Sequence, residues 1–326
     1  MPASVLPSDH SDPLSTREVL HWLESGRLTP DAALRHLARI ERHAAPGRPD
    51  APGASPDRID HILAELNNLV GLAEVKQLVA ELRAFIDIQS RRAAVGLRTE
   101  SQMLHMVFKG APGTGKTTVA RVLGRLLQAL DVLPKGHLVE VERADLVGEY
   151  IGHTAQKTRD AIKRALGGIL FVDEAYALAR GGDKDFGKEA IDTLVAALEN
   201  HRDEFILILA GYPDEMAWLM ASNPGLLSRF PIHLTFPDYR PAELVAICRL
   251  MLEDRQYHLD AEAQARLTQY LASRAGFWHA NAGNARLVRN LLERAIRQQA
   301  VRLSPLPNLS RSDLMLLTWA DFEGSL

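Results

Sequence analysis

The sequence predicts a doubly wound α/β domain, with a helical hairpin ahead of it and a small all-helical domain behind it. Three observations carry that prediction. Four short apolar runs, at 104–108, 137–141, 169–172 and 205–209, alternate with long amphipathic helical patterns from Ile59 onward, as a parallel sheet covered on both faces requires. A glycine-rich loop follows the first run directly. After Pro237 no strand pattern returns, and 241–257, 260–274 and 283–303 keep helical spacing.

The elements follow in order. Residues 1–14, rich in Pro, Ser and Asp, are expected to be disordered. Ser15-Thr-Arg-Glu18 reads as a capping box opening a helix through Val19, Leu20, Trp22 and Leu23, stopped near Gly26. Thr29-Pro30 supplies an N-cap and a first-turn proline for a second helix, whose stripe is Ala33, Leu34, Leu37 and Ile40. This hairpin, 15–43, is too small to be stable alone and must dock on something, with Trp22 as its anchor. Four prolines and two glycines in 44–57 mark a linker running to 58. The α/β domain is expected over 59–237, and the helical domain with a C-terminal tail over 238–326.

A chain of 326 residues with 46% hydrophobic content can hold two compact domains and an appendage. Its net charge of -3 gives no reason to expect nucleic acid. The lone Cys248 cannot pair within the chain and reads as a small buried hydrophobe, and no His or Cys spacing suggests a metal site; both suit a reducing compartment. No stretch of about 18 apolar residues occurs and no apolar run follows a basic N-terminus, so neither a membrane span nor export is expected and the cytoplasm is the default.

The chemistry starts at Gly110-Ala-Pro-Gly-Thr-Gly-Lys-Thr117, which satisfies G-x-x-x-x-G-K-T between an apolar strand and a helix expected from Thr118 to Leu130. Residues Gly110, Ala111, Pro112, Gly113, Thr114, Gly115, Lys116, Thr117 and Thr118 are therefore expected at the phosphates of ATP. The glycines let backbone N–H groups wrap the anion, Lys116 reaches the β and γ phosphates, and Thr117 offers its hydroxyl to Mg²⁺. Ile169-Leu-Phe-Val-Asp173-Glu174 is a buried strand ending in two acids. Asp173 suits the metal's water shell, and Glu174 suits the general base that activates or orients the attacking water.

These motifs resemble the AAA+ ATPases over about residues 59–303. The likeness extends to the branch that contains stage V sporulation protein K and the red-type Rubisco activases, through 135–142, Asp145-Leu-Val-Gly-Glu-Tyr-Ile-Gly-His-Thr154 and Ser222-Asn-Pro-Gly225. Residues 179–190 and 226–231 look more like the sporulation protein; activases tend to carry a second arginine where Leu227 stands. The resemblance implies a P-loop AAA+ sheet with a helical lid, ATP hydrolysis with Mg²⁺, and a homo-oligomeric ring, a hexamer. It implies that Arg229 is a finger reaching a neighbour's site, although alone it reads as a solvated arginine. Arg286 matches the sensor-2 arginine, with a solvated basic stripe of Arg286, Arg289 and Arg297 as the alternative. Leu69, Val70 and Gly71 match the segment behind the adenine, and Tyr212 falls near sensor 1, where Asn or Thr is usual. Tyr150-Ile151-Gly152 resembles the loop that lines a ring's pore and grips a polypeptide; a Tyr packed in a turn is the alternative. Residues 181–187 would form a second, charged pore loop.

The function implied is coupling of ATP hydrolysis to remodelling of a protein substrate or adaptor, in spore formation, with Rubisco activation, a nucleotide-switched scaffold and a DNA motor as competing readings. His201-Arg-Asp203 and Asp185-Phe-Gly187 mimic protein-kinase triplets, but their order is reversed and Ile208 stands where the metal-binding Asn belongs.

Overall fold

The computed structural model describes residues 56–99, 103–150, 152–181, 185–274 and 283–323, together with Val19, His21 and Ser25. The expected disordered start, the linker up to 55, Trp22 and the second hairpin helix lie outside the described residues. Val19 and His21 are helical, and the Ser25 N–H bonds to the His21 carbonyl at 3.0 Å, as the first expected helix requires.

Helices α1 (Pro56–Asn68) and α2 (Ala73–Ala94) precede β1 (Met106–Gly110), α3 (Lys116–Ala129), β2 (Leu138–Val141), α4 (Arg143–Leu146) and α5 (His153–Ala165). Then come β3 (Ile169–Val172), a 3-10 turn (Ala175–Ala179), α6 (Gly187–Asn200), β4 (Ile206–Gly211), α7 (Pro213–Ser222), α8 (Pro224–Leu227) and β5 (Ile232–Phe236). The helical part holds α9 (Pro241–Asp254), β6 (His258–Leu259), α10 (Ala261–Arg274), α11 (Asn284–Leu303), α12 (Arg311–Met315), β7 (Leu316–Leu317) and a final 3-10 turn (Trp319–Asp321).

The five long strands are parallel in the order β2-β3-β4-β1-β5. Interior strand β1 pairs Phe108 with Ala210 on one side and Leu234 on the other. Successive side chains leave opposite faces: Ile169 and Phe171 pack with Phe108 and Leu123, while Leu170 and Val172 pack with Val107, Ile162 and Leu194. Each face thus has its own core, which is why the strands read as unbroken apolar runs. A third core, with Leu244, Cys248, Leu267, Leu292 and Phe322, belongs to the helical part. Burial pushes the Cys248 thiol up to about 12, the environment of an inert hydrophobe.

The structure differs from the expectation in five places, the first being that α1 already begins at Pro56, inside the linker expected over 44–58. β5 is an additional strand: Ile-His-Leu-Thr-Phe alternates because this is an edge strand, with Leu234 and Phe236 buried and His233 and Thr235 exposed. β1 runs to Gly110 because Lys109 and Gly110 still pair, with Gly211 and Phe236. α3 begins at Lys116, so Lys116 and Thr117 form its first turn. The helical part contains a two-residue parallel pairing, His258 with Leu316 and Leu259 with Leu317, too short for any periodicity to reveal. Among the described residues no helix is long and apolar enough to cross a membrane.

Candidate active site

Because β3, β4 and β1 are neighbours, the segments leaving their C-terminal ends converge. The glycine loop leaves β1, Asp173 and Glu174 leave β3, and Tyr212 leaves β4. A cavity of about 540 Å³ lies over them, and residues of α9 and α11 line it too. Val70, Gly110, Pro112, Gly113, Gly115, Lys116, Thr117, Thr118, Asp173, Glu174, Tyr212 and Arg286 all line this one cavity.

Gly113 and Gly115 have φ of +77° and +97°, backbone that glycine adopts without strain, and Gly115 caps α3 so that the loop ends on a helix start. Lys116 Nζ donates to the Gly110 and Ala111 carbonyls, both at 2.8 Å. Burial holds its pKa below the ordinary lysine value; Arg286 pushes the same way, while Asp173 and Glu174 oppose. Ala111 and Thr114 do not line the cavity. They tie the loop instead: the fully buried Thr114 donates its hydroxyl to the Ala111 carbonyl at 2.8 Å.

Asp173 Oδ1 accepts the Glu174 N–H at 3.0 Å, and Glu174 has a φ of +46°, strained for a residue with a Cβ. Beside it Tyr176 is buried, and burial together with the Glu174 carboxylate and a hydrogen bond to it pushes the phenol up to about 12. The Arg180 guanidinium lies 4.4 Å over the Tyr176 ring, and the Tyr212 ring is 6.0 Å from it. On the other side Leu69, Val70 and Leu72 face Ile247, Leu250 and Met251 across an apolar slot. Gly71 does not line that slot; its φ of +68° makes the turn beneath it, and a Cβ there would lie 3.2 Å from Glu243 Oε1.

Residues 106–238 match the family model for the ATPase family associated with various cellular activities, AAA, and residues 240–326 match the AAA lid domain. The chain is 53% identical over 266 residues to stage V sporulation protein K of Bacillus subtilis, covering 81% of this chain and 83% of that protein. It is 44% identical over 268 residues to the chloroplastic ribulose bisphosphate carboxylase/oxygenase activase of Cyanidioschyzon merolae, covering 81% and 91%. To protein CbbX of Cereibacter sphaeroides it is 48% identical over 244 residues, covering 74% and 78%. The chain belongs to the AAA ATPase family. It is a nucleotide-binding ATP hydrolase with an AAA domain and a lid domain.

Two expected features of this AAA ATPase lie away from the cavity. Arg229 follows α8, where Nε and Nη2 hold Glu199 Oε1 of α6 at 2.9 and 2.6 Å and Nη1 donates to the Gly225 carbonyl at 2.9 Å. Tyr150 is 66% exposed between α4 and α5, its ring edge-on to His153 at 5.5 Å; Ile151 lies outside the described residues. Of the glycines flanking it, only Gly152 stands in open space, with φ +84°. Gly148 is pinned by its N–H bond to Thr154 Oγ1 at 2.9 Å. In the charged segment at 181–187, residues 182–184 lie outside the described ones. Asp185 there is a structural anchor, accepting Arg143 Nη2 at 2.6 Å and the Gly187 N–H at 2.7 Å; these partners hold its carboxyl below the usual range.

Sequence reasoning missed Tyr239 and Asn284, and read Arg289 only as part of a stripe. Tyr239 and Arg289 line the cavity, and Asn284 is wholly buried beside it. The available signals were a tyrosine at the junction between the last long strand and the lid, and a polar residue at the start of a lid helix.

Proposed function

We propose that this AAA ATPase works as a hexameric ring in the cytoplasm, each site completed by Arg229 of the next subunit, and that the ring remodels a protein gripped at Tyr150, Ile151 and Gly152. The observation that carries the reading is the split of the hydrolytic set. Lys116, Thr117, Asp173 and Glu174 share one cavity, while Arg229 does not line it and pairs with Glu199 instead. In this reading Arg229 of a neighbouring copy adds a cation for the γ-phosphate to Lys116 and Arg286, which already line the cavity.

The backbone from Gly110 to Thr118 and Lys116 hold the phosphates, Val70 backs the adenine with Gly71 making the turn next to it, and Glu174 orients the attacking water and takes its proton. Tyr212 and Arg286 report nucleotide state from the end of β4 and from the lid. Thr117 and Asp173 would hold Mg²⁺: both line the cavity, and a hydroxyl with a carboxylate is a hard oxygen set. Among the described residues no three His, Cys, Asp or Glu side chains form a ready-made cage. That suits an ion shared with phosphates and water, where it would neutralise charge on the phosphoryl group. The buried, unpaired Cys248 suits a reducing compartment. The N-terminal hairpin expected over 15–43 would select the partner.

The name of the relative from Bacillus subtilis supports a role in spore formation. The relative named as a Rubisco activase supports the second reading, activation of Rubisco. One assay separates these: ATPase activity against protein concentration, with and without ribulose bisphosphate. Specific activity should climb with concentration, fall at least about a thousand-fold in Arg229→Ala, and partly return when Arg229→Ala is mixed with Lys116→Ala. Stimulation by ribulose bisphosphate would transfer the reading to Rubisco activation. Activity independent of dilution and untouched by Arg229→Ala would end the shared-site reading.

A further inference from the structure

Three successive carbonyls of the phosphate loop are held from the lid side. The Pro112 oxygen receives Asn284 Nδ2 at 3.5 Å, the Gly113 oxygen receives the Ala285 N–H at 3.2 Å, and the Thr114 oxygen receives the Tyr239 hydroxyl at 3.1 Å. None of the three donors belongs to the sheet: Tyr239 follows β5, while Asn284 and Ala285 open α11. The approach is close enough that a Cβ on Gly113 would collide with the Gly283 carbonyl and stand 3.0 Å from the Arg286 nitrogen.

Asn284 is itself fixed in place. Its Nδ2 also donates to Asp238 Oδ1 at 2.7 Å and its Oδ1 accepts the Tyr239 N–H at 3.0 Å. It is fully buried with φ +42°, a left-handed backbone that asparagine tolerates better than most residues and that these bonds over-determine. Burial, with Glu243 nearby, pushes the Tyr239 phenol up to about 12, so it remains a donor.

In a trans peptide unit the C=O of one residue and the N–H of the next point in opposite directions. Bonds that draw the Pro112, Gly113 and Thr114 oxygens toward the lid therefore turn the N–H groups of Gly113, Thr114 and Gly115 the other way. Those N–H groups are the donors a glycine loop offers to an anion. By contrast, the Gly110 and Ala111 carbonyls are taken by Lys116.

We propose that Tyr239 and Asn284 are positioning residues that aim the phosphate-binding N–H groups of the loop, making affinity for the terminal phosphates conditional on lid placement. The coupling is reciprocal: a bound polyphosphate holds the lid, and a displaced lid releases the polyphosphate. It acts through loop backbone, apart from any charge contact by Arg286, and it needs neither a ring nor a protein substrate.

The test is calorimetric titration of the full chain with ADP and with AMP, beside a thermal melt. Tyr239→Phe removes one hydrogen bond and keeps the ring. It should weaken ADP about five-fold, the effect of one neutral hydrogen bond, and AMP less than about two-fold. Asn284→Ala should widen the gap between the two nucleotides further. If that variant does not fold, Tyr239→Phe decides alone. An ADP-to-AMP affinity ratio unchanged in folded Tyr239→Phe, whether both affinities fall or neither does, overturns the proposal.

Discussion

Acid should weaken this fold at a pH where its carboxylates are still ionised, and the cause is His105. This side chain is 1% exposed just before β1, with the Phe205 and Phe230 rings at 6.1 and 6.0 Å. Nδ1 accepts the Leu207 N–H at 3.2 Å, so the proton of the neutral ring sits on Nε2, which is buried and has no hydrogen-bond partner among the described residues. A second proton would set one N–H against another and place a charge among aromatic rings. Burial, opposed by Asp203, lowers the pKa from 6.5 to about 4. Between those values the unfolded chain binds the proton and the folded one does not. The contribution is therefore complete above about pH 6.5 and is lost as the pH falls toward about 4. At about 1.4 kcal/mol for each pH unit the whole span is worth roughly 3 kcal/mol, of which roughly 2 is gone between about pH 7.5 and pH 5. Urea unfolding at those two pH values, in wild type and in His105→Asn, reads the difference. Asparagine keeps an acceptor for Leu207 without titrating. His233, whose pKa burial and Lys109 lower, acts alike in both proteins and drops out of the comparison. Wild type should lose roughly 2 kcal/mol more than the variant. Equal losses would refute the assignment.

Two further outcomes are expected. Asp321 is 1% exposed and accepts Arg302 Nε and Nη2, both at 2.8 Å, the Thr318 N–H at 2.8 Å and the Thr318 hydroxyl at 3.1 Å; Asp321→Ala strands all four donors and should cost about 3 kcal/mol in denaturant unfolding, with a loss under about 1 counting against it. Casein, as an unstructured probe, should stimulate the wild-type ATPase and leave Tyr150→Ala unstimulated at unchanged ADP affinity; equal stimulation would remove Tyr150 from substrate gripping.

What could be read from the sequence follows from how far apart the interacting residues are. The phosphate loop is eight consecutive residues flanked by its own strand and helix, so its chemistry is visible in one window, and Asp173-Glu174 ends a run whose burial is equally local. The interior strands were legible for the same reason, because both faces are covered, while β5 was missed because its exposed His233 and Thr235 break the run into alternation. The lid's hold on the loop joins residues 125 and 172 positions apart, Tyr239 to Thr114 and Asn284 to Pro112, and no periodicity links them. His105 lies inside a run read as strand; its perturbation comes from burial, and the partner of its Nδ1, the Leu207 N–H, is 102 positions away. Arg229 is a harder case. Its own residues announce only a surface arginine, and the single chain indeed holds it in a surface ion pair with Glu199. That pair also bears on how a ring would form. The Glu199 side chain is 62% exposed, so the pair is a weak one in water. Exchanging it for a buried, doubly charged phosphate edge would favour the assembled site. In the proposed ring, an arginine held on an exposed carboxylate would stay extended at little cost, and the stronger anion would take it over.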